Sequence, residues 1–466
     1  MRCLKVVSAR LLIAACSFPA FAVAEPAPSN LIANIAGQTT INLDGTWNTI
    51  MDPYETGLRM RFYQNAKARD KRDLVEYNFD TSEKLKVPGD WNTQRDTLLF
   101  YEGPVWYQRY FPYFKRAHTR VFLYFGAANY ATRVWLNGQK LGEHTGGFTP
   151  FNFEITGSVV EGENSVVVEV DNTRQTTGVP ARDTDWWNYG GLTRSVELIE
   201  LPETFIQNYS VQLAKSSRDE IAGWVQLNGA SLTGKVTIEI PEAHLKQSFD
   251  TDAAGHAEFH FPAKLQLWSP ENPKLYQVAI SAGSETVKDE IGFRSIETRG
   301  TQILLNGKPI FLRGISMHEE APFRGGRAFS EEDDSVLLGW VRDLGCNFVR
   351  LAHYPHNEAM IRLADRMGLL VWSEIPVYWT IDWTNASTLA NSKNQLTEEI
   401  TRDKNRASII IWSMGNETPI TDARVAFMRE LVKTARQLDS TRLISAALET
   451  HYSDSNTKLI DSAKRR

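Results

Sequence analysis

A chain of 466 residues, 42% apolar and 23% charged, has the length for about three domains and the composition to give each a core. Its 51 basic and 56 acidic residues leave a formal charge of −5, which excludes the basic footprint of a general nucleic-acid binder. The same composition excludes disordered and collagen-like classes.

Arg2, Lys5 and Arg10 give a positive leader to the apolar run 11–21, and Ala22-Val23-Ala24 has the small-x-small form of a cleavage site. Residues 1–24 are therefore expected to be a secretory signal peptide, and the protein to be secreted or periplasmic. The run falls short of the ~20 apolar residues that cross a bilayer, so no membrane span is expected. Ile13-Ala14-Ala15-Cys16 also resembles a lipobox, which leaves lipid anchoring open. Cys3 and Cys16 leave with the signal, and the remaining Cys346 cannot form an internal disulfide. It sits in an apolar, strand-like run and reads as a buried structural thiol. No metal-type Cys/His spacing occurs, and neither a metal nor a cofactor is expected.

Residues 25–200 are taken as one domain, in which a Pro-rich leader at 25–30 precedes an all-β pattern from about 40 to 200. Val121-Phe122-Leu123-Tyr124-Phe125 is a buried-strand run, Arg133-Val134-Trp135-Leu136 meets the hairpin signal Asn137-Gly138, and 165–170 is Val-rich. Long aromatic-bearing connections separate these strands, which suits a jelly-roll β-sandwich. Residues 201–299 have the size and strand pattern of an immunoglobulin-like β-sandwich. From 300 to 466 strands alternate with helices, and their continuous apolar runs predict a parallel sheet. Five strands are expected to start near 311, 347, 369, 408 and 443. Ser330 caps a helix with Val336, Leu337, Trp340, Val341 and Leu344 at helical spacing, and further helices are predicted at 357–367, 395–402 and 422–438. The unit reads as an incomplete (β/α)8 TIM barrel.

Functional groups of such barrels collect at the C-terminal ends of strands. Those ends read Met317-His318-Glu319, Arg350 through His353-Tyr354-Pro355, Glu374-Ile375-Pro376, Asn416-Glu417 and Glu449-Thr450-His451-Tyr452. Packing alone does not predict five consecutive ends with ionisable or amide groups. Glu417 closes the apolar run from Ser408; partly desolvated and near another carboxylate, it would titrate high and suit general-acid work. Asn416 can donate to a ligand hydroxyl and accept from it.

Several motifs in order resemble family 2 of the glycoside hydrolases, the β-glucuronidase, β-galactosidase and β-mannosidase group, over about residues 40–460. Leu43-Asp44-Gly45-Thr46-Trp47, Val87-Pro88-Gly89-Asp90-Trp91, Tyr107-Gln108-Arg109 and Gly146-Gly147-Phe148-Thr149-Pro150-Phe151 are similar to the family's sugar-binding-type jelly roll. Leu267-Trp268-Ser269-Pro270 and Gly292-Phe293-Arg294 resemble the end of its immunoglobulin-like domain. Asn347 to Tyr354-Pro355, with Asp365 and Gly368, resembles one barrel signature, and Asp403 through Glu417 the other. The resemblance implies an exo-acting retaining β-glycosidase, β-glucuronidase- or β-galactosidase-like, acting on a β-linked glycoside or oligosaccharide. It implies Glu417 as acid/base and Asn416 on the sugar's 2-hydroxyl, with His318, His353 and the jelly-roll residue Asp185 lining the pocket. Many relatives are oligomeric, so an oligomer is compatible with it. Ser316, Leu351 and Arg406 depart from the family pattern. Blander readings stay open: Arg350 and His353 as a core network, Asp185 as a loop cap, and Tyr378, Trp379 and Trp383 as packing residues instead of sugar platforms.

Retaining hydrolysis uses two carboxyl groups about 5–5.5 Å apart. The resemblance puts the nucleophile on the seventh barrel strand, beyond residue 466, so the chain is expected to be C-terminally truncated and inactive as it stands. Glu374 and Glu449, on neighbouring strands, are the alternative nucleophiles. A reading from another class is a non-catalytic glycan-binding protein with a vestigial barrel.

Overall fold

The computed structural model describes residues 30–448; the expected signal at 1–24 and the strand end at 449–452 lie outside the described residues. The first unit packs two antiparallel sheets face to face. One orders Thr39–Asn42, Val196–Pro202, Thr119–Phe125 and Phe151–Glu154; the other runs Glu83–Val87, Gly45–Met51, Pro104–Tyr113, Gly162–Asp171, Ala131–Leu136, Gln139–Thr145. Strand periodicity divides their side chains: Val166, Val168 and Val170 enter the inter-sheet core with Trp47 and Phe125, whereas Val167 joins Trp106, Trp135 and Phe79 on the outer face. Asn137 and Gly138 both take left-handed backbone (φ 51° and 79°), which the tight two-residue hairpin requires.

The second unit stacks a three-stranded sheet (Phe205–Leu213, Glu220–Asn228, His256–Pro262) on a four-stranded one (Leu245–Asp250, Lys235–Ile240, Tyr276–Ala282, Glu285–Ile291). A short meander, Ile296–Arg299, Gln302–Leu305 and Lys308–Ile310, leads into the third unit. That meander absorbs Ile310, so the first barrel strand starts at Gly314 and not near 311.

The third unit is a five-stranded parallel sheet in sequential order: β1 (Gly314–Met317), β2 (Phe348–Leu351), β3 (Leu370–Glu374), β4 (Ile409–Asn416) and β5 (Leu443–Ala447). The helices are α1 (Glu331–Asp343), α2 (Glu358–Met367), α3 (Ala386–Asp403) and α4 (Asp422–Leu438). β4 is buried along its whole length, as an interior parallel strand must be. Among the described residues the sheet is open, the incomplete barrel that the alternation predicts. No described helix is long and apolar enough to cross a membrane.

Three local expectations need correction. In α1, Leu337, Leu338 and Val341 face the core, but Val336, Trp340 and Leu344 are exposed, so the inward stripe is narrower than the apolar spacing suggests. Cys346 is only partly buried, at the edge of the barrel core. Helix α3 begins at its cap Asn385, ten residues before the expected start. Its first turns lack an apolar period because they dock on the jelly roll by hydrogen bonds. Thr388 Oγ1 donates to the Thr177 carbonyl (2.9 Å), Gln395 Nε2 to the Val179 carbonyl (2.8 Å), and Thr149 Oγ1 to Glu398 (2.6 Å).

Buried ion pairs lock the units together. Glu319, at the end of β1, accepts from jelly-roll Arg194 (3.1 Å) and from Arg327 Nε (2.9 Å). Burial opposes its ionisation, but the two guanidiniums prevail and hold the carboxyl down to about 2. Asp289 of the second sandwich pairs with Arg362 of α2 (3.0 Å) and with Arg406. Arg406, a departure from the family pattern, thus fastens sandwich to barrel.

Candidate active site

The strand ends converge on one cluster whose centre is Glu374. Fully buried at the end of β3, its carboxylate accepts from Arg350 Nη2 (2.7 and 3.0 Å), His353 Nδ1 (2.8 Å), Trp372 Nε1 (3.1 Å) and Ser413 Oγ (2.9 Å). Burial pushes its titration up, but the His353 and Arg350 contacts outweigh it and leave the carboxyl below its ordinary range. A carboxylate so engaged is a clamp, with no lone pair free to attack carbon. Glu374 is therefore unsuited as an alternative nucleophile; Glu449 lies outside the described residues.

The clamp decides what its neighbours can do. His353 Nδ1 donates to Glu374, which leaves Nε2 as the ring nitrogen outside the clamp. Arg350 also donates to Asn416 Oδ1 (2.6 Å). That oxygen keeps its second lone pair, and the Nδ2 group makes no hydrogen bond of its own among the described residues, so both ends of the amide are left to meet a ligand hydroxyl. The core-network reading of Arg350 and His353 is thus correct for one side of each group. Neither side chain is wholly enclosed, Arg350 keeping 17% and His353 11% of its side-chain surface exposed.

Asp185, His318 and His353 come together from the jelly roll, the end of β1 and the loop after β2, each offering a ligand atom within 4.8 Å of the others. Burial, and then His353 beside it, lower the pKa of His318, keeping that ring neutral at neutral pH, and its buried Nδ1 has no partner among the described residues. Burial and then a hydrogen bond to Asp185 push the Tyr378 phenol up, so Asp185 does more than cap a loop. The trio has the composition of a cation site although no sequence spacing announces it. It equally offers acceptors and donors to hydroxyl groups. Trp186 walls the cluster, its ring 4.9 Å from Tyr378, 5.3 Å from Tyr354, 5.9 Å from His353 and 6.0 Å from His318. Sequence reasoning did not single out Trp186 for this part; its pairing with Trp187 in a polar loop was the available signal.

Glu417 follows β4 in left-handed backbone (φ 46°) and is exposed, which corrects the expected desolvation. The positive φ breaks the strand's alternation and turns its side chain to Trp379, whose Nε1 donates to Oε2 at 3.0 Å. Trp379 is thereby a holder of this carboxylate. Tyr378 is buried against Trp186, and Trp383 packs on Phe427 (5.2 Å) away from the cluster.

Three family models match the chain in order: glycosyl hydrolases family 2, sugar binding domain, over residues 40–202; glycosyl hydrolases family 2 over 204–294; and its TIM barrel domain over 296–464. A β-glucuronidase of Paenibacillus borealis is 28% identical, with 87% of this chain and 72% of that protein covered. A β-galactosidase of Thermoanaerobacter pseudethanolicus is 31% identical over 80% of this chain. The chain spans 53% of the latter's length, and 48% of a similar Formosa agariphila protein. Among solved structures, the Bifidobacterium dentium β-glucuronidase complexed with coumarin-3-O-glucuronide superposes with a TM-score of 0.79 at 25% identity, covering 91% of this chain and 76% of that one.

Proposed function

The chain belongs to family 2 of the glycosyl hydrolases, and on that premise we propose that its pocket is that of an exo-acting, retaining β-glycosidase of β-glucuronidase or β-galactosidase type. The carrying observation is the Arg350 grip that leaves Asn416 Nδ2 free next to Glu417. A terminal sugar lies among Asp185, His318 and His353, and its 2-hydroxyl accepts from Asn416 Nδ2. Glu417 protonates the glycosidic oxygen as the C–O bond breaks, while a second carboxylate forms the glycosyl-enzyme ester. Glu417 then takes a proton from the water that cleaves this ester, which restores both groups. Trp379 Nε1 steadies the Glu417 carboxylate between those transfers.

Glu374, fully engaged by its donors, is not that second carboxylate; the proposal is that it comes from outside residues 30–448 and that the chain binds glycosides without turning them over. Binding and turnover of p-nitrophenyl β-glucuronide and β-galactoside, measured on one preparation, test both statements. The expected result is binding, weakened about 10-fold by Asn416→Ala, without turnover at ordinary enzyme rates. No binding of either glycoside contradicts the glycosidase reading. Turnover that Glu417→Gln abolishes keeps that reading and overturns the inactivity. Export to the periplasm or medium completes the proposal; the mature chain should begin at Glu25, checked by N-terminal sequencing.

A further inference from the structure

Beside the pocket lies a cleft of about 330 Å³ whose walls are jelly-roll loops alone, Asn92 to Glu102 and Arg174 to Asn188. Its size falls in the range of small-ligand sites. Phe100 and Trp187 stand over it, 80% and 39% exposed, their rings 5.4 Å apart at 52°. Two large aromatics held in solvent on facing loops are not accounted for by core packing. At the rim Arg174 Nη2 pairs with Glu102 Oε1 at 2.6 Å, so charged donors and acceptors sit next to the aromatic faces.

Both loops are fixed before any ligand arrives. Asn92 accepts from the Gly190 backbone N–H (2.8 Å) and donates to the Leu98 carbonyl (3.0 Å), while Asn172 and Asn188 exchange side-chain-to-carbonyl bonds of 2.9 and 2.7 Å. Trp186 belongs to both compartments: it lines the cleft and lies 5.9 Å from His353. The cleft and the Asp185–His318–His353 cluster therefore adjoin across one indole. Aromatic faces for C–H surfaces, beside a charged pair for hydroxyls, make a surface that fits a pyranose ring.

We propose that this cleft is a second sugar-binding subsite, which takes the neighbouring unit of a β-linked oligosaccharide whose terminal unit occupies the pocket. The proposal deepens the glycosidase reading and rests on it for the terminal unit. Phe100 and Trp187 act as specificity determinants for chain length.

The test uses the Glu417→Gln protein, which keeps ligands intact. Lactose is titrated against methyl β-galactoside, and a β-glucuronyl disaccharide against methyl β-glucuronide, by calorimetry. For the sugar accepted, the disaccharide should bind about 10-fold tighter than the methyl glycoside. Phe100→Ala and Trp187→Ala should each erase that advantage and leave methyl glycoside affinity unchanged, with melting temperatures confirming intact folds. Equal affinities for the two ligands, or an advantage that survives both substitutions, overturn the subsite. Disaccharide binding that depends on Phe100 and Trp187 but not on Asn416 sustains the subsite and overturns the pocket assignment instead. Absence of binding by all four ligands overturns both.

Discussion

Arg350 donates to the side-chain oxygen of Asn416 at 2.6 Å while its guanidinium also grips Glu374. One cation from β2 thus fixes a clamp on β3 and the amide of β4. This cross-strand link adds to the burial of Glu374 and Asn416 and to the backbone bonds that hold the end of β4.

Breaking that link should cost both stability and binding. Arg350→Ala leaves Glu374 as a buried, under-compensated charge, which destabilises by about 3–5 kcal/mol. Arg350→Lys keeps the charge but loses the fork that reaches two partners, so glycoside affinity should fall with a smaller loss of stability. Denaturant melts and ligand titrations of the two variants separate the effects.

Acid should unlock the unit interface. The folded pKa of Glu319, about 2, lies below the ordinary 4.5, so its contribution is present above 4.5 and is lost as pH falls toward 2. By linkage this amounts to about 3 kcal/mol. Unfolding free energies measured from pH 5 to 2.5 should fall steeply in the native protein and more gently in Glu319→Gln. Equal slopes would contradict the assignment.

The opposite sign is expected at Asp334. It is fully buried in α1, neither carboxyl oxygen has a partner among the described residues, and burial with the nearby Glu319 charge pushes its pKa up to about 8. Its contribution is full below the unfolded value and is lost as pH rises through 8. Asp334→Asn should therefore stabilise at pH 8 by about 1–3 kcal/mol and change little at pH 4. Thermal melts at the two pH values check this.

Trp186 should matter to the pocket more than its place in a loop suggests. Trp186→Ala removes the wall shared by Tyr378, His318 and His353. Glycoside affinity should drop at least as far as in Asp185→Ala. Calorimetric titration of both variants provides the comparison.

Local signals made much of the fold legible. The Asn137-Gly138 turn, the Ser330 cap and the apolar run into Asn416 each carry their reason in adjacent residues, and the structure has all three. The pocket candidates were legible because polar groups follow apolar strands at a barrel's rim. Contacts made over long separations were not. Arg194 meets Glu319 across 125 positions, and the Glu374 clamp gathers donors from β2, β3 and β4, so no window of sequence contains either arrangement. The start of α3 was hidden for a related reason, its partners being jelly-roll carbonyls. The exposure of Glu417 depends on one positive φ that the Asn-Glu pair does not announce.

The most direct measurement is a crystal structure of the Glu417→Gln protein soaked with the p-nitrophenyl β-glycoside it binds. The account predicts the sugar ring among Asp185, His318 and His353, its 2-hydroxyl on Asn416 Nδ2, and its glycosidic oxygen within hydrogen-bond reach of residue 417. A sugar bound elsewhere, with Asn416 Nδ2 unoccupied, would contradict it.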